Sequence, residues 1–317
     1  MAGRFDEDDA DQAAAKKVIK AAPSVPQAAL ANRKFMHRVV AWLAQAGVDQ
    51  FVDVGTGIPT KPNVFEIARE YHPDAVVVGV DNDPLVLAHD RALLKGMPIV
   101  SGDVRRVDEL IADLDEFIDW DRPVGVLLLA VLHFVTDEQD PAGIVRAFTG
   151  RMVPGSMVAL SHLSSTGPKP VAVAQIEKLY RDETTAPGVA RTHEQITNLF
   201  GRLGLVPPGV VPVQHWPCES GLLTDVPVLG GSAWCPTRWR IRLAEHWRGA
   251  AVAELPDEQD AGTDGWAGDG PDEAEVWAQR VGWWLACLTV WGLAPLWVPG
   301  PVRWACQRRR RGGRRDG

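Results

Sequence analysis

Five short stretches carry side chains able to hold a charged ligand or move a proton, and each closes an apolar run. QFVDVGTGIPT, from Gln50 to Thr60, ends its run at Asp53 and continues through Gly55, Thr56 and Gly57. Closely spaced glycines let a backbone turn tightly and let a ligand approach the main chain. A dinucleotide would favour a third glycine where Thr60 stands, so NAD or FAD is disfavoured here. A ligand with a carboxylate and an amino group asks less of the loop. Backbone N–H groups of the turn can take the carboxylate, and Asp53 or a neighbouring carbonyl can take the ammonium. Asp81, followed by Asn82 in VVVGVDNDP, stands 24 residues beyond Gly57. An acid at that distance can accept hydrogen bonds from both hydroxyls of a ribose. Gly102, Asp103 and Val104 follow the third run, and a short acid after glycine can meet an adenine amino group. Ala130, Leu132 and His133 follow the fourth and would flank the ligand's reactive centre, while His162 follows the fifth in ALSHL. Imidazole titrates near neutral pH, so His133 and His162 are the candidate proton acceptors. Nothing in the spacing of Tyr180 or His193 raises either above an ordinary residue.

The elements needed to position these residues are legible in the pattern. Leu30, Met36, Val39, Val40 and Leu43 recur at helical spacing over Gln27–Ala46, with Pro23 and Pro26 closing any earlier helix and Gly47 ending this one. Strands are expected at Gln50–Val54, Ala75–Val80, Pro98–Val100, Val124–Val131 and Met157–Leu160. Helices are expected near Asn63–Tyr71, Pro84–Leu94, Val107–Phe117 and Ala142–Arg151. The strands are continuously apolar, as AVVVGV and VGVLLLAV show, which suits a parallel sheet buried on both faces. Strand–helix alternation of this kind predicts a doubly wound α/β sheet. Asp83–Pro84 is a cap followed by a helix-opening proline, and Thr192 with Gln195 forms a capping box. Ligands of such sheets bind at the carboxyl ends of the strands, where the residues above fall.

In register at the ends of successive strands, these groups match the S-adenosylmethionine site of class I methyltransferases. QFVDVGTGIPTKPNVFEIA, VDNDPLVLAHDRALL, LLLAVLHFV, DPAGIVRAF and PGSMVALSHL resemble a family of S-adenosylmethionine-dependent methyltransferases abundant in actinobacteria. The likeness runs from about Phe5 to Gly231, with ANRKFMHRVVAWLAQAGV before the core and GLVPPGVVPVQHW after it. It implies a mostly parallel, seven-stranded, Rossmann-like sheet and S-adenosyl-L-methionine as cofactor. By this resemblance Asp53, Gly55 and Gly57 bind the methionine end, Asp81 the ribose and Asp103 the adenine. Members of the family mostly lack an assigned substrate, and they usually begin with a longer Tyr-rich segment upstream of the position of Phe5. An active methyltransferase acting on a small molecule is therefore weighed against a cofactor-binding regulatory protein without turnover, and against an NAD-dependent oxidoreductase.

Composition bounds the rest. The chain has 317 residues, 46% of them hydrophobic and 23% charged, as in soluble globular proteins. A net charge of −8 excludes general nucleic-acid binding, which needs a basic face. Asp6, Glu7, Asp8, Asp9 and Asp11 are the opposite of a cationic leader, and none of the four cysteines forms a C-x-x-C pair. A cytoplasmic location and no metal are expected. Ten of the thirteen tryptophans lie between Trp234 and Trp304, and beyond Phe200 there is no Phe, Tyr, Lys, Asn or Met. The chain is accordingly divided into an N-terminal helical segment (1–49), a methyltransferase domain (50–231) and an extension (232–317) expected to be disordered or partly helical. Two readings of the extension are open. VGWWLACLTVWGLAPLWV with the arginines after it, over 281–315, suits a peripheral or tail-anchored membrane contact. Its codon-biased composition also suits an out-of-frame translation.

Overall fold

A computed structural model of the chain describes residues 25–57, 59–166, 173, 177, 188–217 and 227–235. The order of elements is α1 (Val25–Gln45), β1 (Gln50–Val54), α2 (Val64–Tyr71), β2 (Val76–Asp81), α3 (Pro84–Leu93), β3 (Ile99–Ser101), α4 (Val107–Leu114), β4 (Gly125–Leu129), α5 (Pro141–Arg151), β5 (Met157–Leu163), α6 (His193–Leu199), β6 (Gly204–Leu205), β7 (Val211–Pro212) and β8 (Val228–Trp234). The strands form one sheet in the order β3-β2-β1-β4-β5-β8-β6, with β7 also paired to β8. β1 to β5 run parallel, and β8 returns antiparallel to β5. The order reverses between β1 and β4, so the switch point lies between Asp53 and the turn after Leu129.

Neighbouring residues of each central strand pack on opposite faces. Val52, Val78, Val126, Val158 and Leu160 join Leu110 and Leu114 of α4, Phe148 of α5 and Ile196 of α6 in one core. Phe51, Val77, Leu127, Met157 and Ala159 join Phe35, Val39 and Leu43 of α1 and Ile67 of α2 in the other. Burial on both faces is why the strands read as unbroken apolar runs. Local signals set the helix ends. Asn63 and Glu66 close a capping box on α2, the Asp83 side chain accepts from the Leu85 N–H at the start of α3, and Thr192 and Gln195 cap α6.

Three expectations change. The helix expected from Gln27 begins at Val25, with Pro26 in its first turn, where no intrahelical donor is needed from it. The sheet has eight strands rather than seven, because Pro207, Pro208 and Gly209 interrupt one edge strand. β6 and β7 both pair with β8, at Trp234–Ala233 and at Gly230–Leu229, and prolines cannot supply the ladder donors between them. The boundary at Gly231 falls inside β8, which continues through Ser232 and Ala233 to Trp234 opposite Met157. Small residues there let the edge approach closely: a Cβ on Gly231 would stand 2.8 Å from the Gly209 carbonyl oxygen. Tyr180 and the stretch 281–315 lie outside the described residues. Among the described residues no helix is long and apolar enough to cross a membrane.

Candidate functional site

The carboxyl ends of β1 and β2 build an acidic cradle around the glycine turn. Gly55 and Gly57 have φ of 75° and 59°, a conformation that glycine adopts without strain. A Cβ on Gly55 would also lie 2.4 Å from Val131 Cγ2, so the turn after β4 closes against this one. The Gly55 and Thr56 N–H groups donate to the Val80 carbonyl at 2.7 and 3.2 Å, and the Gly57 N–H donates to Asp81 Oδ2 at 3.1 Å. The second Asp81 oxygen accepts from the Asp83 N–H at 3.0 Å. The N–H groups of Gly55, Thr56 and Gly57 are thus engaged within the protein.

Three carboxyl groups share this cradle. Asp53 is half-buried on β1, Asp81 is buried at the end of β2, and Asp90, on α3, is fully buried with Oδ2 accepting from Thr56 Oγ1 at 2.6 Å. Burial raises the pKa of all three, to about 7 for Asp53 and about 6 for Asp90; repulsion adds to it, from Asp90 and Asp81 at Asp53, from Asp83 at Asp81 and from Asp81 at Asp90. The Asp90 Oδ1 and Asn82 Oδ1 atoms are buried without a hydrogen-bond partner. Asp103 differs. Burial would raise its pKa, but hydrogen bonds and charge from Arg105 outweigh that and hold it low. Arg105 Nε lies 2.9 and 3.0 Å from the two Asp103 oxygens, so this carboxylate is already clasped. Gly102 and Val104 flank it, with Val104 buried and Asp103 accepting from the Arg105 N–H at the start of a short 3-10 turn.

The carboxyl ends of β4 and β5 are organised differently. Ala130 takes φ of 58°, which costs a non-glycine residue strain, and its N–H donates to Ser161 O at 3.1 Å and Ser161 Oγ at 3.0 Å. Ser161 Oγ in turn donates to Asn32 Oδ1 of α1 at 2.5 Å. Leu132 and His133 lie on a buried 3-10 turn. His162 lies within β5 rather than after it, because the strand continues to Leu163. Its Nδ1 meets the Leu163 carbonyl at 2.7 Å and its Nε2 meets Arg191 Nη1 at 2.8 Å. A carbonyl only accepts and a guanidinium only donates, so Nδ1 carries the proton and the ring is neutral. Burial, with the Arg191 charge, lowers its pKa to about 4. Burial, with the charges of His162 and Arg191, lowers that of His133 well below the ordinary value. The two rings meet edge to face at 5.7 Å between centroids.

Arg191, 3% exposed, donates from one guanidinium to Leu132 O at 3.0 Å, Val135 O at 2.8 Å, His162 Nε2 at 2.8 Å and Asp137 Oδ1 at 2.7 Å. It had no signature in the sequence. Asp90 had one: it follows Val86 and Leu87 on the buried face of α3, where helical spacing calls for an apolar side chain. Asn32 and Arg33 stand in the quoted ANRKF without a motif to mark them. His193 uses Nε2 on the Val210 carbonyl at 2.8 Å, a structural bond. Among the described residues no group of His, Cys, Asp and Glu could hold a metal ion.

Fold and site together define a class I, S-adenosylmethionine-dependent methyltransferase. The comparisons with known proteins agree. A family described as S-adenosyl methyltransferase matches residues 1–228. A DUF574-family protein from Streptomyces avermitilis is 35% identical with a TM-score of 0.66, over 70% of this chain and 89% of that one. A protein from Thermobifida fusca, described as a methyltransferase by assignment only, is 33% identical with a TM-score of 0.66, over 71% and 88%. No curated protein matches the sequence. The chain belongs to the S-adenosyl methyltransferase family, and its cofactor is S-adenosyl-L-methionine. The residues present fit that group: under-neutralised carboxyls around a glycine turn suit a ligand with a sulfonium and an ammonium.

Proposed function

We propose that this chain methylates a small-molecule acceptor that approaches beside the turn after β4. The observation that carries the cofactor half of this reading is the trio Asp53, Asp81 and Asp90, gathered buried or half-buried at one glycine turn, with pKa values raised by burial and by neighbouring carboxylates. When bound, the cofactor supplies an electrophilic methyl on a sulfonium whose leaving group is a neutral thioether. Asp53, with Gly55, Thr56 and Gly57 shaping the turn, holds the amino-acid end. Asp81, whose oxygens also accept from the Gly57 and Asp83 N–H groups, takes the ribose hydroxyls, with the half-buried Asn82 beside it. Gly102, Asp103 and Val104 border the adenine, and recognition by Asp103 competes with Arg105. Ala130 and Leu132 border the methyl-bearing end.

The chain's main contribution to transfer is alignment of acceptor and methyl. His162 has both ring nitrogens engaged and orients its neighbours. His133 is the candidate base for an acceptor that must lose a proton, but burial and the Arg191 charge disfavour its imidazolium and make it a weak one, so an acceptor that needs no base suits this site better. The net charge of −8 supports a small molecule over a nucleic acid. Calorimetric titration with S-adenosylmethionine, S-adenosylhomocysteine and NAD tests the cofactor reading: binding of the first two and not the third is expected, and the reverse sinks it. Formation of S-adenosylhomocysteine with a panel of small acceptors separates an enzyme from a regulatory binder, since a binder forms none with any of them.

A further inference from the structure

The glycine turn leaves one end of its ligand without a donor. The Gly55, Thr56 and Gly57 N–H groups are committed to Val80 O and Asp81, so none of these three amides remains for a carboxylate. A guanidinium stands in the right place. Arg33, half-buried on α1, lays Nη2 against the Thr60 carbonyl at 2.6 Å and against the Pro62 carbonyl, so it crosses the mouth of the loop. These bonds use one nitrogen of a fork that has three. Burial lowers the pKa of Arg33 while the charges of Asp53 and Glu66 oppose that. Yet among the described residues no hydrogen bond or ion pair reaches the Asp53 carboxylate. The Thr60 hydroxyl, on the stretch Arg33 holds, is buried without a partner. A cation and an anion thus face one another across the turn without touching, with an orphaned hydroxyl beside them.

We infer that Arg33 and Asp53 bracket the zwitterion of an α-amino acid, Arg33 taking the carboxylate and Asp53 the ammonium of the cofactor's methionine end. The inference rests on the cofactor reading above and assigns a residue of α1 to the site. Arg suits the task, because its planar fork donates two parallel hydrogen bonds to a carboxylate. An arginine here also gives the amino-acid end a reason to lock α1 onto the loop, since the same side chain grips the Thr60 and Pro62 carbonyls.

The test compares S-adenosylhomocysteine with 5′-methylthioadenosine, which keeps the nucleoside and thioether but lacks the amino-acid end. Both are titrated calorimetrically into the full chain and its Arg33→Met, Arg33→Lys and Asp53→Asn variants. Arg33→Met should weaken S-adenosylhomocysteine about thirtyfold and leave 5′-methylthioadenosine within about twofold, with Arg33→Lys falling between. Asp53→Asn should show the same split. Equal weakening of both ligands by Arg33→Met would overturn the proposal, showing that Arg33 only holds the loop. So would unchanged affinity for S-adenosylhomocysteine. If the unsubstituted chain binds neither ligand, the cofactor reading itself fails, and the proposal with it.

Discussion

The two halves of the site, both at the carboxyl edge of one sheet, treat charge in opposite ways. Around β1 and β2, three carboxyls crowd a glycine turn, with Arg33 and Arg91 nearby and, among the described residues, no ion pair at Asp53. Around β4 and β5, two histidines are held neutral and Arg191 finds an acceptor for each of its directions. The first half is incomplete and gains by receiving a cation. The second is finished and gains nothing electrostatic from a ligand, so it offers shape and position. On the function proposed above, the former serves cofactor binding and the latter serves methyl transfer to a neutral acceptor, which mostly needs alignment.

Substitutions should expose this contrast. The largest effect is expected at the finished end. Arg191→Met leaves His162 Nε2 and the Leu132 and Val135 carbonyls buried without a donor, and should lower the unfolding free energy by ~3–5 kcal/mol in urea titrations. A loss below ~1 kcal/mol would show that the region is not closed as described. At the open end, Asp81→Asn should weaken S-adenosylhomocysteine about 100-fold, ~2.7 kcal/mol by calorimetry, because an amide cannot accept at both oxygens. Asp53→Asn should do the reverse to stability. The folded-state pKa of Asp53 is raised to about 7, so the folded chain loses stability as pH rises from the unfolded carboxylate range to about 7. The variant should therefore gain ~2 kcal/mol at pH 8 and almost nothing near pH 4, read from melting curves across pH.

The same carboxyl predicts a smaller pH effect on binding. An ammonium ligand favours ionised Asp53, so affinity for S-adenosylhomocysteine should fall about fivefold between pH 7 and pH 6, with proton release on binding. Asp53→Asn should flatten that slope, and a slope that survives the substitution would assign it to Asp90 instead. The least effect is expected from Asp137→Asn. Its carboxylate is 70% exposed, and the loss should stay under ~1 kcal/mol although it contacts Arg191.

Much of this was legible in residue order. Continuous apolar strands, Gly47 as a helix stop, the Asn63 and Asp83 caps and the acids at strand ends are all local or periodic signals. They placed Asp53, Asp81 and Asp103 correctly along the sheet edge. Strand ends were less legible: β5 looked complete at Leu160, so His162 read as a loop residue although three more buried residues follow. The doubled edge strand was hidden because β6 and β7 are two residues each, too short for a period to show.

By itself, the sequence determined that the chain winds a parallel sheet, turns on two glycines after Asp53, and lines the carboxyl edge with acids. Those features follow from backbone sterics, burial period and capping, which act over a few residues. Only the tertiary structure decided who satisfies whom. It brought Arg33 across 27 positions to Thr60, and Arg191 across 59 to Leu132 and 29 to His162. It also spent the turn's N–H groups on Val80 and Asp81. Hydrogen bonds between residues so far apart leave no period behind, because a single donor and acceptor meet once, where the packed cores on the two faces of the sheet happen to hold them.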